Sequence, residues 1–201
     1  KATPTLAVTN SPVTYNGSQR TATVTGSTTG SVSTIRYDNS ATAPTNAGIY
    51  AITANFTPSD TTNYNSLTGA SAGNFTINQA ATTTTVTCPA GPFTYTGSAI
   101  TPACTAAATG PGGLNQTGLT VSFANNLNAG TATASATYAG APNYLTSTGS
   151  KNFTIGKATP TLAITNSPAT FHGTAKTATI AASSTPGGVA GTFANILYNT
   201  L

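Results

Sequence analysis

The chain has 201 residues, of which only eight are charged, six Lys or Arg and two Asp, for a net charge of +4. Soluble chains carry about 25% charged residues; this one has no Glu, Met or Trp but 46 Thr and 17 Ser. That composition excludes long helices and coiled coils, because Thr is stiff at χ1, and it supplies neither the roughly 20-residue apolar run of a membrane span nor the basic patch of a nucleic-acid binder.

In chain order, the first predicted strands are Leu6/Val8 and Val13/Tyr15. A turn at Gly17 separates these from Ala22/Val24 and Ile35/Tyr37. After Asn46-Ala-Gly48, residues 49–56 alternate and place Tyr50, Ile52, Ala54 and Phe56 on one face. Period two over that length is a half-buried strand. Asn63-Tyr64 follows, then a strand carrying Phe75 and Ile77. Gly, Pro, Asn and Ser punctuate the strands at the spacing of a β-sandwich.

The pattern then repeats, as a search for internal periods requires. Lys1 to Pro12 returns as Lys157 to Pro168 with only Val8 changed, to Ile164. A diverged copy lies between: Pro12, Tyr15 and Gly17 align with Pro92, Tyr95 and Gly97, and with Pro168, Phe171 and Gly173. Asn128-Ala-Gly130, Asn143-Tyr144 and Asn152-Phe-Thr-Ile155 repeat their counterparts, and Ala132, Ala134, Ala136 and Tyr138 share one face. The units are 1–79, 80–156 and 157–201. The third ends before its Asn-Ala-Gly turn, Asn-Tyr pair and Phe-Thr-Ile strand, so it is expected to be truncated or completed by another chain. The short joints between units predict a stiff rod.

The run Phe93-Thr-Tyr-Thr-Gly97, then Asn128-Ala-Gly130 with its alternating strand, then Asn143-Tyr144 and Asn152-Phe-Thr-Ile155, resembles the bacterial immunoglobulin-like repeats called MBG domains. The resemblance covers both complete units and the start of the third. It implies an all-β fold of tandem immunoglobulin-like β-sandwich repeats, two complete and a third partial. It also implies a place in long secreted or cell-surface proteins, as stalks and adhesive modules.

Catalytic chemistry has little to work with. His172, the one His, aligns with Asn16 and Thr96 just before a turn glycine, which marks an exposed turn. Asp38 and Asp60 lie in separate loops of the first unit, so neither a triad with His172 nor the carboxylate pair of a glycosidase is expected. Gly110-Pro-Gly-Gly113 and Pro186-Gly-Gly188 lack the Lys-Ser/Thr of a phosphate loop and read as hairpin turns. Zinc ligands are too few. For calcium only Asp60, with Asn63 and Asn65, comes into question, and it reads as a solvated loop. No enzyme activity, cofactor or metal is expected.

Cys88 aligns with Val8 and Ile164, and Cys104 with Val24 and Ile180. The expectation is a disulfide between a first-strand residue and one facing it across the core. Closing a loop of about 16 residues is worth roughly 3 kcal/mol in the chain-entropy account. For Tyr64 and Tyr144 two readings are open, a ligand-stacking ring or a corner tyrosine with its ring in the core and its hydroxyl on backbone; recurrence favours the second. Five glycosylation sequons, at Asn16, Asn55, Asn74, Asn115 and Asn152, are the number that composition alone produces. An isopeptide staple lacks its buried acid.

A surface so poor in charge must stay soluble through hydroxyls, amides or sugar, or be buried in an assembly. The expected partners are flanking repeats or further copies of the chain, with glycans possible and neither nucleic acid nor membrane insertion. The expected location is extracellular. The expected role is a stiff stalk or an extracellular filament subunit, the alternative an adhesin that binds carbohydrate or host or matrix protein through its loops.

Overall fold

Alternation along the chain becomes strand throughout the first repeat of this computed structural model, which describes residues 1–183, 191–194 and 196–198. The strands are β1 (Leu6–Val8), β2 (Val13–Thr14), β3 (Val24–Gly26), β4 (Gly30–Tyr37), β5 (Gly48–Pro58) and β6 (Leu67–Asn78). β1 and β3 form one antiparallel pair, with Val8 opposite Val24. The other sheet runs β2-β6-β5-β4, with β2 parallel to β6. The predicted face of β5 is the buried one: Ile52, Ala54 and Phe56 lose all or nearly all contact with water. Ile52 and Ala54 join Ala72, Phe75 and Ile77 of β6, Tyr37 of β4, and Ala22 and Val24 in one core. Leu6, Val8 and Val13 press against it, so both sheets contribute.

Tyr37 does more than fill space. Its ring lies edge-on to Phe75, with centroids 6.2 Å apart. Its hydroxyl accepts the buried Ala22 N–H at 2.8 Å, which β3, starting two residues later, leaves without a ladder partner.

The second repeat supplies β7 (Thr83–Thr87), β8 (Phe93–Thr94), β9 (Thr105–Gly110), a 3-10 turn at Pro111–Gly113, β10 (Leu114–Thr117), β11 (Val121–Ala124), β12 (Gly130–Tyr138) and β13 (Ser147–Gly156). Its sheets run β10-β9-β7 and β11-β12-β13-β8. Ala132, Ala134, Ala136 and Tyr138 of β12 are buried, as their alternation predicts. The Pro111–Gly113 turn closes the β9–β10 hairpin, with Leu114 opposite Gly110.

Of the third repeat, β14 (Thr161–Ile164) pairs antiparallel with β15 (Ile180–Ser183), and Leu162 and Ile164 are exposed. The predicted turn at residues 186–188 lies outside the described residues. Among the described residues there is no α-helix, and none of them forms a helix long and apolar enough to cross a membrane. Contacts gather the chain into two compact units, one of residues 1–86, 105–120 and 136–149, the other of residues 87–104, 121–135 and 150–201. β12 and β13 contribute to both.

Tyr37→Phe keeps the ring but leaves the Ala22 N–H buried and unpaired. The expected loss is about 1–3 kcal/mol, read as a lower urea midpoint; an unchanged midpoint would show that the bond contributes nothing.

Candidate functional site: the joint between the first two repeats

Between the end of β6 at Asn78 and the start of β7 at Thr83 the chain has no slack. Ala80 is fully buried. Its N–H donates to the Asn143 carbonyl at 2.9 Å, and its own carbonyl accepts the Leu145 N–H at 2.9 Å. The Gln79 side chain donates to the carbonyls of Ala141, at 3.0 Å, and Pro142, at 3.3 Å. The Thr82 hydroxyl donates to the Leu145 carbonyl at 3.0 Å. The first repeat holds its own entering chain in the same way: Ala2 N–H donates to the Asn63 carbonyl at 2.7 Å and Asn65 N–H to the Ala2 carbonyl at 2.9 Å. The Asn-Tyr pair therefore recurs because the backbone on either side of Tyr64 and Tyr144 clamps the strand entering its repeat.

The side chains of that pair reach the other way. The Asn143 amide oxygen accepts the Ala47 N–H at 2.8 Å, and its nitrogen donates to the Asn46 amide oxygen at 3.0 Å. The Tyr144 hydroxyl donates to the Pro111 carbonyl at 2.7 Å, as expected of a corner tyrosine. Its ring is not in a core. It stands half-buried and edge-on to Tyr15, centroids 5.3 Å apart at 82°, because the repeat boundary leaves an aromatic face there. Partial loss of water and then the Tyr15 hydroxyl raise the Tyr144 phenol above its usual pKa. Tyr64 is half-buried, its backbone bridged to Ala2.

Beside Tyr15, Gly17 takes φ +85°, a left-handed turn conformation that an L side chain resists. Gly97 and Gly173 take φ +76° at the same place in their repeats. All the joint residues, from Tyr15, Asn46 and Ala80 to Pro111 and Tyr144, belong to one compact unit.

The two cysteines are joined, with Cα atoms 4.2 Å apart. The expectation that they face each other across the core needs correction. Their counterparts Val8 and Val24 are direct cross-strand partners within one sheet, and so are Ile164 and Ile180. Hydrogen bonds flank the first pair, Thr9 N–H to the Thr23 carbonyl and Ser27 N–H to the Thr5 carbonyl, both 2.9 Å. Val8 and Val24 therefore occupy a non-hydrogen-bonded position, where Cα atoms approach to about 4.5 Å and side chains lie closest. The disulfide replaces a lateral contact between neighbouring strands.

The remaining candidates are spread apart. His172 is exposed. Asp38, at φ +46°, accepts the Ala51 N–H at 2.8 Å. Asp60 accepts the Thr62 and Asn63 N–H groups, each at 3.0 Å, and the Asn63 side-chain amide at 2.7 Å. That side-chain amide, then the Asn63 N–H, hold its carboxyl below the ordinary value. Asn65 points instead to Thr3, at 3.2 Å. Among the described residues no three His, Cys, Asp or Glu come together as metal ligands.

Residues 2–81 match the family model described as the MBG domain, in agreement with the resemblance read from the sequence. The match spans the first repeat and reaches two residues into the second. No curated protein and no solved structure matches the chain.

Reduction of Cys88–Cys104 is expected to cost about 3 kcal/mol of stability in the second repeat. Cys88→Val with Cys104→Val, which restores the apolar pair of the other repeats, is expected to recover part of that loss. Urea unfolding under oxidising and reducing conditions checks both; identical midpoints would contradict them.

Proposed function

We propose that this chain is a structural segment of a secreted or cell-surface bacterial protein, a stiff stalk of immunoglobulin-like sandwiches with no enzymatic role. Its repeats are residues 1–79, 80–156 and, in part, 157–201. The observation that carries this reading is the linker. A flexible string of domains leaves its connecting residues solvated and free to rotate. Here Gln79, the last residue of the first repeat, donates to the Ala141 and Pro142 carbonyls of the second, and Ala80 beside it is buried with its N–H and its carbonyl both bonded within the second repeat.

Other observations support it. In the first repeat, residues of both sheets share one core, as a sandwich requires. The disulfide suits an oxidising extracellular setting. Asp38 accepts the Ala51 N–H of β5 and Asp60 the Thr62 N–H of its own loop, an arrangement that serves the fold rather than proton transfer. The partners of such a segment are the repeats that flank it, and its solubility comes from a surface of hydroxyls and amides.

Amide nitrogen relaxation tests the stiffness. The stalk reading predicts one anisotropic rotational tensor for residues 1–79 and 105–120; two independent correlation times would overturn it. On arrays of glycans and matrix proteins the chain is expected to show no saturable binding, and such binding would favour an adhesive role through the loops.

A further inference from the structure

Besides the Gln79 bonds to the Ala141 and Pro142 carbonyls, the second repeat meets the first through two features, the Pro111–Gly113 turn and the Asn143–Tyr144 pair. The turn meets backbone, the pair meets the Ala47 N–H together with the Asn46 amide and the Tyr15 ring, and neither uses charge. Gly112 packs on Gly17 backbone to backbone. A Cβ added to Gly112 would stand 2.8 Å from the Gly17 Cα and 3.1 Å from the Tyr15 hydroxyl, and one added to Gly17 would run into the Gly112 Cα. Neither glycine can gain a side chain unless the surfaces part. Asn143 spends both ends of its amide on the Asn46–Ala47 turn, accepting from one residue and donating to the other. A carboxylate could only accept and an ammonium only donate.

We propose that this surface is a recognition site for one kind of partner, the end of a repeat that presents an aromatic-x-Gly turn beside an Asn-Ala-Gly turn, and that Gly112 and Asn143 decide whether such an end is accepted. The proposal rests on the stalk reading and deepens it, because it makes the joint selective as well as stiff.

Comparison within the chain sharpens the rule. The corresponding surface of the first repeat is not a copy. Between Gly26 and Gly30 it carries Ser27-Thr28-Thr29 where the second has Pro111-Gly112-Gly113, and its Asn63 amide donates to Asp60 at 2.7 Å. The far end of the second repeat does present the accepted pattern, as Tyr95-Thr96-Gly97 and Asn128-Ala129-Gly130. There Ile100 N–H donates to the Asn126 carbonyl at 2.7 Å, tying the same two loops that Arg20 N–H and the Pro44 carbonyl tie at 2.8 Å in the first repeat. A repeat with the surface of the second can therefore follow either the first or another of its own kind. The succession of repeats is directional and is set by side chains at the joint.

The test uses the whole chain with its disulfide intact and spin labels on Ser33→Cys in β4 and Gln116→Cys in β10, both exposed positions. Double electron–electron resonance is expected to give a single narrow distance distribution. Gly112→Ala and Asn143→Ala are expected to lose that narrow peak. Gly113→Ala is the control for backbone strain: Gly113 has φ +83° against +68° at Gly112, and nothing lies within 4 Å of where its Cβ would be. It is expected to keep the peak. Narrow peaks in Gly112→Ala and Asn143→Ala would overturn the proposal and leave the stalk reading standing. Equal broadening in Gly113→Ala and Gly112→Ala would also overturn it, because turn strain would then be the cause. A broad distribution in the unsubstituted labelled chain would overturn both.

Discussion

A buried peptide group must find a hydrogen-bond partner, and at Ala80 both of its partners lie in the repeat the chain is entering. That requirement fixes where the second repeat begins relative to the end of β6. The methyl side chain is fully covered, so the position tolerates little that is larger. Given that anchor, the rest of the joint follows. Asn143 reaches the Asn46–Ala47 turn, Tyr144 leans on Tyr15, and Gly112 touches Gly17, with four residues between β6 and β7.

The unusual composition finds its place in the same frame. β12 buries Ala132, Ala134 and Ala136, side chains that remove little apolar area each, about 25 cal/mol per Å² of it. Such strands depend more on their backbone ladders and close approach than on large side chains. Hydroxyls inside the fold are paired: Thr84 is buried and bonds Ser147 at 2.7 Å, and among the described residues no buried side-chain nitrogen or oxygen lacks a partner. The edge strand β4 is interrupted by a bulge between Ser33 and Arg36 and carries a cation, two devices that discourage pairing with a stray strand.

What could be read in advance was what depends on local geometry. The alternation at 49–56 showed the buried face of β5 because side chains on a strand point to opposite sides in turn. Gly17, Gly97 and Gly173 mark turns in the sequence, and all three take a left-handed conformation that few other residues accept. The register of the sheets lies beyond reach: alignment places Cys88 and Cys104 on strands facing across a core, whereas their counterparts are lateral neighbours in one sheet. The Asn-Tyr pair was visible as a recurring motif, but its work is done largely by backbone atoms, which a sequence does not display. The touching of Gly17 and Gly112 joins residues far apart in the chain; the only forewarning was the Pro-Gly-Gly triplet, present in the second and third repeats and replaced by Ser-Thr-Thr in the first. Tyr37 gave no sign that its hydroxyl, rather than that of Tyr64, would satisfy a buried amide.

The central claim is that the linker belongs to the folded unit and is not a hinge. Residue-resolved hydrogen exchange addresses it most directly, because slow exchange at an amide reports a bond that opens only with the surrounding structure. The account predicts that the Ala80 and Leu145 amides exchange as slowly as those in the centre of β5. Exchange of the Ala80 amide at the rate of a free peptide, while β5 stays protected, would contradict it.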